Sequence, residues 1–160
     1  MNLVLLFIAI AIMLAVIGFL VRPRPAPTYR IEVDDIPKVL AALSAVPKGP
    51  ASAVFVFAPA DGSVDPDDPD DRVNLQFSLE DGRPGFDWVL QSHPNIRDEA
   101  RFANFARDAG YSPEMEYTNG VRYLRVEEGD LVRLCQDVMT KMYRQAGPVE
   151  LIVEGFAWKR

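Results

Sequence analysis

Val-Asn-Leu-Gln-Phe-Ser-Leu-Glu, residues 73–80, alternates apolar and polar side chains without a break. Val73, Leu75, Phe77 and Leu79 fall on one side of an extended chain, with Asn74, Gln76, Ser78 and Glu80 on the other. The stretch therefore predicts a strand with one dry face and one wet face. Asp81-Gly82 follows and predicts a turn into a second strand, Phe86 to Gln91. Strands of this kind are stabilised by helices laid over the dry face only, which points to an α+β, two-layer domain with an antiparallel or mixed sheet.

Downstream of this hairpin, Phe102, Phe105, Ala106 and Ala109 recur at helical spacing. They predict a helix from Ile96 to Ala109, with Asn95 as its cap and Gly110 as its stop. Strands over Glu114–Thr118 and Val121–Val126 flank Asn119-Gly120, the strongest short hairpin signal in the chain. A third helix, Asp130 to Arg144, presents Leu131, Leu134, Cys135, Val138 and Met142 on one side, and Gly147-Pro148 ends it before a last strand, Val149 to Trp158.

Upstream, Tyr29 to Val33 predicts a strand and Ser52 to Phe57 another. Between them Ile36, Val39, Leu40 and Leu43 line one face of a helix, capped by Asp34 or Asp35 and stopped by Pro47-Lys48-Gly49-Pro50. The predicted order is β-α-β-β-β-α-β-β-α-β, with three helices. Its last six elements match the split βαβ pattern of ferredoxin-like domains. The pattern leaves open whether residues 29–57 join the same sheet as residues 73–158.

The N-terminus is of a different kind. Leu3 to Val21 reads LVLLFIAIAIMLAVIGFLV, with no charged side chain. At about 1.5 Å per residue it spans roughly 28 Å as a helix, close to the hydrocarbon thickness of a bilayer. A cleaved signal peptide fits less well: no basic region precedes the segment, it is longer than a usual apolar core, and RPRPAP rather than a small-residue cleavage site follows. The expected organisation is a transmembrane signal-anchor over residues 1–21, a Pro/Arg spacer over 22–28, and a soluble domain over 29–160. Prolines 23, 25 and 27 favour an extended, semi-rigid spacer. Arg22, Arg24 and Arg30 all follow the apolar segment, so the positive-inside rule predicts a single-pass protein of the cell (inner or plasma) membrane with its C-terminal domain in the cytoplasm.

Composition excludes several functions. The formal net charge is −6, all of it outside the apolar segment, which argues against binding a phosphate backbone and so against a nucleic-acid partner. One cysteine, Cys135, forms no internal disulfide, and one histidine, His93, leaves no histidine-rich metal site. Each remaining chemical feature has a plainer structural reading. The acidic run Asp61 to Asp71 lacks EF-hand spacing and reads as a solvated loop. Glu127, Glu128 and Asp130 suit a helix N-terminus, Cys135 sits in an apolar helix face, and His93 precedes a helix in a surface loop. Arg97, Arg101, Asn104 and Asp108 form an outward helix stripe, while Trp88, Phe156 and Trp158 are core residues or exposed binding anchors.

No catalytic, cofactor-binding or metal-ligating residues are therefore assigned. The expected function is a membrane-tethered, non-catalytic interaction or regulatory module with a protein partner. A small acidic inhibitor or immunity-type protein that masks a basic partner is the alternative. An enzyme of unrecognised type comes last; it would need a cleft with perturbed carboxylates, and nothing in the sequence singles out Asp87, Glu99 or Glu127 for that role.

Overall fold

The computed structural model describes residues 26–47, 49–60, 65 and 68–159. They form one seven-stranded sheet with four α-helices, an α+β fold. The strands are β1 (Thr28–Ile31), β2 (Ser52–Phe57), β3 (Val73–Glu80), β4 (Arg83–Val89), β5 (Glu114–Thr118), β6 (Val121–Val126) and β7 (Val149–Glu154). The helices are α1 (Ile36–Ser44), α2 (His93–Arg97), α3 (Glu99–Asp108) and α4 (Leu131–Asp137).

The sheet runs β1-β7-β2-β3-β4-β6-β5, and every neighbouring pair is antiparallel. Residues 29–57 thus share one sheet with the rest. β1 and β2 flank β7 and are joined through α1; β4 and β5 flank β6 and are joined through α2 and α3. Each end of the sheet is accordingly a split βαβ unit, with the β2-β3-β4 meander between them. The ferredoxin-like expectation holds for β4-β6-β5 and departs at β7. In that pattern β7 would lie against β4, but β3 already occupies this edge through a short hairpin, and neighbours in sequence pair first. β7 instead closes the gap between β1 and β2.

The register carries the alternation of β3 across the sheet. Phe77 faces Ala53 and Phe86, and Leu75 faces Phe55 and Trp88, so these side chains share one face. All four helices lie on that face. α1 packs on β2, β3 and β4 and touches α4. Phe102 of α3 stacks on Trp88 at 4.6 Å between ring centroids, and the Asn95 carbonyl of α2 accepts from the Trp88 indole N–H at 2.9 Å. Ile36, Val39 and Leu43 of α1 are buried as the spacing predicts.

Three elements differ from expectation. The second helix is two: α2 begins at His93 behind Ser92, and the chain breaks at Asp98 before α3. Asn95 does not cap it. Its amide pairs with β3 instead, accepting from the Asn74 N–H at 3.1 Å and donating to the Asn74 carbonyl at 2.6 Å. The inward face of α3 is Phe102, Ala103 and Ala106; Phe105 is half-buried and Ala109 exposed. α4 starts at its Asp130 cap but passes into a π-helical turn, Val138–Met142, and the chain turns away at Arg144 with φ +56°. The last strand stops at Glu154, Gly155 turns with φ +77°, and Trp158 returns to the core.

The apolar stretch Leu3 to Val21 lies outside the described residues. Among the described residues no helix is long and apolar enough to cross a membrane.

Candidate functional site

The second face of the sheet carries the polar half of each alternating strand. No helix packs over it in the contacts just described. At its β4-β6-β5 end lies a cluster that the alternation pattern did not announce. Asp87 pairs with Arg125 across β4 and β6, and Ser78 sits beside them on β3. Arg125 Nη1 donates to Asp87 Oδ1 at 2.7 Å and to Ser78 Oγ at 2.9 Å, while Ser78 Oγ donates to Asp87 Oδ2. Arg125 Nε donates to Glu127 Oε1 at 2.8 Å. Glu80 lies 3.5 Å from the guanidinium and accepts from the Tyr123 hydroxyl at 2.9 Å.

The Arg125 and Asp87 side chains are 3% and 2% exposed, which is unusual for charges on an uncovered face. Gly85 explains the geometry. A Cβ at this position would stand 2.3 Å from the Arg125 guanidinium carbon, so the absence of a side chain lets the guanidinium lie flat on β4. Burial pushes the Asp87 carboxyl upward, partly offset by the hydrogen bond from Ser78 and the charge of Arg125. The Arg125 hydrogen bond holds Glu127 below its ordinary value. For Arg125, burial opposes the charged form, but Glu127 and Asp87 outweigh it and the guanidinium stays protonated.

Around this buried pair the surface is acidic. A cleft of about 770 Å³ opens between β5, β6 and the loops 109–112 and 127–130. Its carboxylates are Glu80, Glu114, Glu116, Glu127, Glu128 and Asp130, and its one cation is Arg125, already matched by Asp87 and Glu127. A neighbouring cavity of about 860 Å³ runs over Ser78, Asp87, Val89 and Tyr123 towards Thr118. Among the described residues no group of three or more His, Cys, Asp or Glu side chains is placed to hold a metal ion. Asp87 is also a poor general base as it stands, because Oδ1 takes Arg125 and Oδ2 takes Ser78, with Gln76 Nε2 at 3.5 Å.

The other residues singled out by sequence lie elsewhere. His93 is exposed on α2, with Nδ1 2.9 Å from Asp71 Oδ1. Of the acidic run, Asp65, Asp68, Asp70 and Asp71 are described; Asp70 N–H donates to Asp68 and Asp65 N–H to Asp71. Asp61 and Asp67 lie outside the described residues. Asp130 caps α4 by accepting from the Arg133 N–H at 2.9 Å. Cys135 is fully buried, and burial pushes its thiol far up. The stripe on α2 and α3 is exposed but partly structural. Arg97 donates to Asp98, and Arg101 donates to the Met142 carbonyl at 2.6 Å. Burial opposes ionisation of Asp98, yet hydrogen bonds from Arg97 and Tyr143 hold it below its ordinary value.

Trp88 and Trp158 are core, and Phe156 is half-buried, so none of the three is an exposed anchor. Among the described residues the exposed aromatic is Tyr117 on β5. Compared with known proteins, the chain matches no family model, no curated protein and no solved structure.

Proposed function

We propose that this chain is a membrane-tethered, non-catalytic binding module whose acidic sheet face takes a basic protein partner. One observation carries the reading: six carboxylates rim a cleft on an uncovered sheet face, and its only cation is internally neutralised. Such a face attracts cationic surfaces over several ångströms and speeds their encounter at low salt. The tether rests on the uncharged stretch Leu3 to Val21, and the positive-inside rule favours the cytoplasm for the domain. Holding the domain at a membrane raises its effective concentration for partners there. The inhibitor or immunity-type alternative uses the same acidic surface to mask a basic partner.

The test is alkaline extraction of membranes bearing the full chain, followed by in-cell crosslinking and co-purification. The parallel sample carries Glu114→Gln, Glu116→Gln and Glu128→Gln. The expected result is retention in the extracted membranes and one stoichiometric basic partner, lost or reduced at least tenfold by the neutralised rim, since rim charges act through steering and register. Release by alkali overturns the tether. Equal recovery with the neutralised rim overturns the acidic face, and turnover of a substrate by the purified chain overturns the non-catalytic reading.

A further inference from the structure

We infer that β5 is a docking edge, which takes an extended basic segment of the partner protein as an eighth strand of the sheet. The inference rests on the acidic-face reading above and names where and how the partner sits.

β5 is the last strand of the sheet and pairs with β6 alone. Its free groups follow from the hairpin. Asn119 and Gly120 have φ +51° and +84°, the type I′ arrangement, which closes on a hydrogen-bonded pair. That pair is Thr118 with Val121, so in strict alternation Glu116 and Glu114 also bond to β6, while Met115 and Tyr117 aim their N–H and C=O groups outward. The opposite side of β6 agrees, since the Arg122 carbonyl, across from Tyr117, accepts from the Leu90 N–H at 2.9 Å.

Every residue of β5 is exposed. Met115 and Tyr117 are 48% and 68% exposed, and with Ile96 they are the large apolar side chains left in solvent among the described residues. Natural edge strands are usually blunted by lysine, proline, a bulge or a covering loop. β5, Glu-Met-Glu-Tyr-Thr, has no lysine or proline; its charges are two glutamates, which repel an acidic strand and leave the edge open to a basic one.

Charge decides the occupant. Glu114 and Glu116 stand on the open face beside the acidic cleft, and Met115 and Tyr117 on the face towards the helices. A strand laid along β5 sets its own side chains directly opposite these. Cations opposite Glu114 and Glu116, with apolar residues opposite Met115 and Tyr117, satisfy both faces at once. The fitting ligand is therefore an extended segment alternating basic and apolar residues. A second copy of this chain fits poorly. Two-fold pairing centred on β5 sets Glu116 against the same residue of its neighbour, and like charges directly opposite are destabilising.

The experiment uses the full chain in detergent micelles and a capped six-residue peptide of alternating lysine and valine. The control peptide holds the same residues in block order. The alternating peptide is expected to bind and to slow hydrogen exchange at the Met115 and Tyr117 amides, leaving the Thr28–Ile31 edge unchanged. Met115→Pro removes one outward donor without altering charge, at a position where an edge strand tolerates proline, and is expected to abolish binding. Glu114→Gln with Glu116→Gln is expected to weaken it roughly fivefold, the loss of two cross-strand charge pairs. Equal binding of both peptides, indifferent to Met115→Pro, overturns the edge while leaving the acidic face standing. Binding of neither peptide also overturns the edge, and loss of the natural partner on neutralising the rim still tests the face separately. Should Met115→Pro fail to fold, the exchange pattern of the unmodified chain decides, and exchange unchanged at Met115 and Tyr117 rejects the edge.

Discussion

His93 is the only histidine in the chain, so its titration is readable without assignment ambiguity. The hydrogen bond to Asp71 raises its pKa above the ordinary 6.5, and the same bond lowers Asp71 below 3.8. The raised His93 contributes stability that is complete below 6.5 and lost as pH climbs through its folded value. The lowered Asp71 contributes stability that is complete above 3.8 and lost as pH falls through its folded value. The pair therefore acts in the window between, and the exposure of the His93 ring keeps its effect on stability small. A proton NMR titration is expected to find His93 above 6.5 and to bring it back towards that value in Asp71→Asn. An unchanged His93 in that variant breaks the pairing. Asn95 makes a heavier contribution. The alternation running from the Asp81-Gly82 turn points the Asn74 N–H and C=O towards β4, whose ladder with β3 ends at Leu75 and Trp88. The buried Asn95 amide takes the place of the missing strand residue. Asn95→Ala strips partners from two backbone groups and is expected to cost about 3 kcal/mol in urea unfolding. A loss below about 0.5 kcal/mol, the size of an ordinary surface change, would mean that water replaces the clip.

At the scale of elements, the strands were legible because their signals are local. The alternation of Val73 to Glu80 and the Asn119-Gly120 turn appear in the structure with the expected register. The same holds for α1, whose inward face is decided by spacing alone. What escaped reading depends on partners distant in sequence. The break at Asp98 follows from a buried carboxylate that collects Arg97 and the Tyr143 hydroxyl, and Tyr143 lies 45 residues on, just past the π-helical turn. The site was harder still. Arg125 reads as an ordinary wet-face residue of β6, and only the register of three strands brings it onto Asp87 and Ser78. One local trace existed: Gly85 interrupts a strand, which in a sheet often marks close approach by another group. The exposed Met115 and Tyr117 carried no signal of their own, because exposure at an edge depends on which strand ends the sheet.

At the scale of the molecule, the two split units make the last strand the keystone. β7 is the only partner of β1 and separates it from β2. It also sends Val149, Leu151 and Val153 into the core. Burying three such side chains contributes roughly 4.5–9 kcal/mol, comparable with the whole net stability of a typical domain. Under the tether reading the arrangement has a second consequence. The chain leaves the N-terminal segment through β1, and six strand spacings of about 4.8 Å set β5 roughly 29 Å across the sheet from it. The edge proposed for docking is thus the one farthest from the proposed membrane attachment, with β7 seating β1 at the opposite edge. Ending the chain after Pro148 is therefore expected to abolish cooperative thermal unfolding and the near-ultraviolet signal of Trp88, which stacks on Phe102 and Tyr143. Ending it after Gly155 keeps β7 and removes only Phe156 onwards, Trp158 included. That chain is expected to melt cooperatively at a lower midpoint. A cooperative transition in the shorter chain would show that α1 alone holds β1 to β2, and β7 would lose its place as the strand that joins β1 to the rest of the sheet.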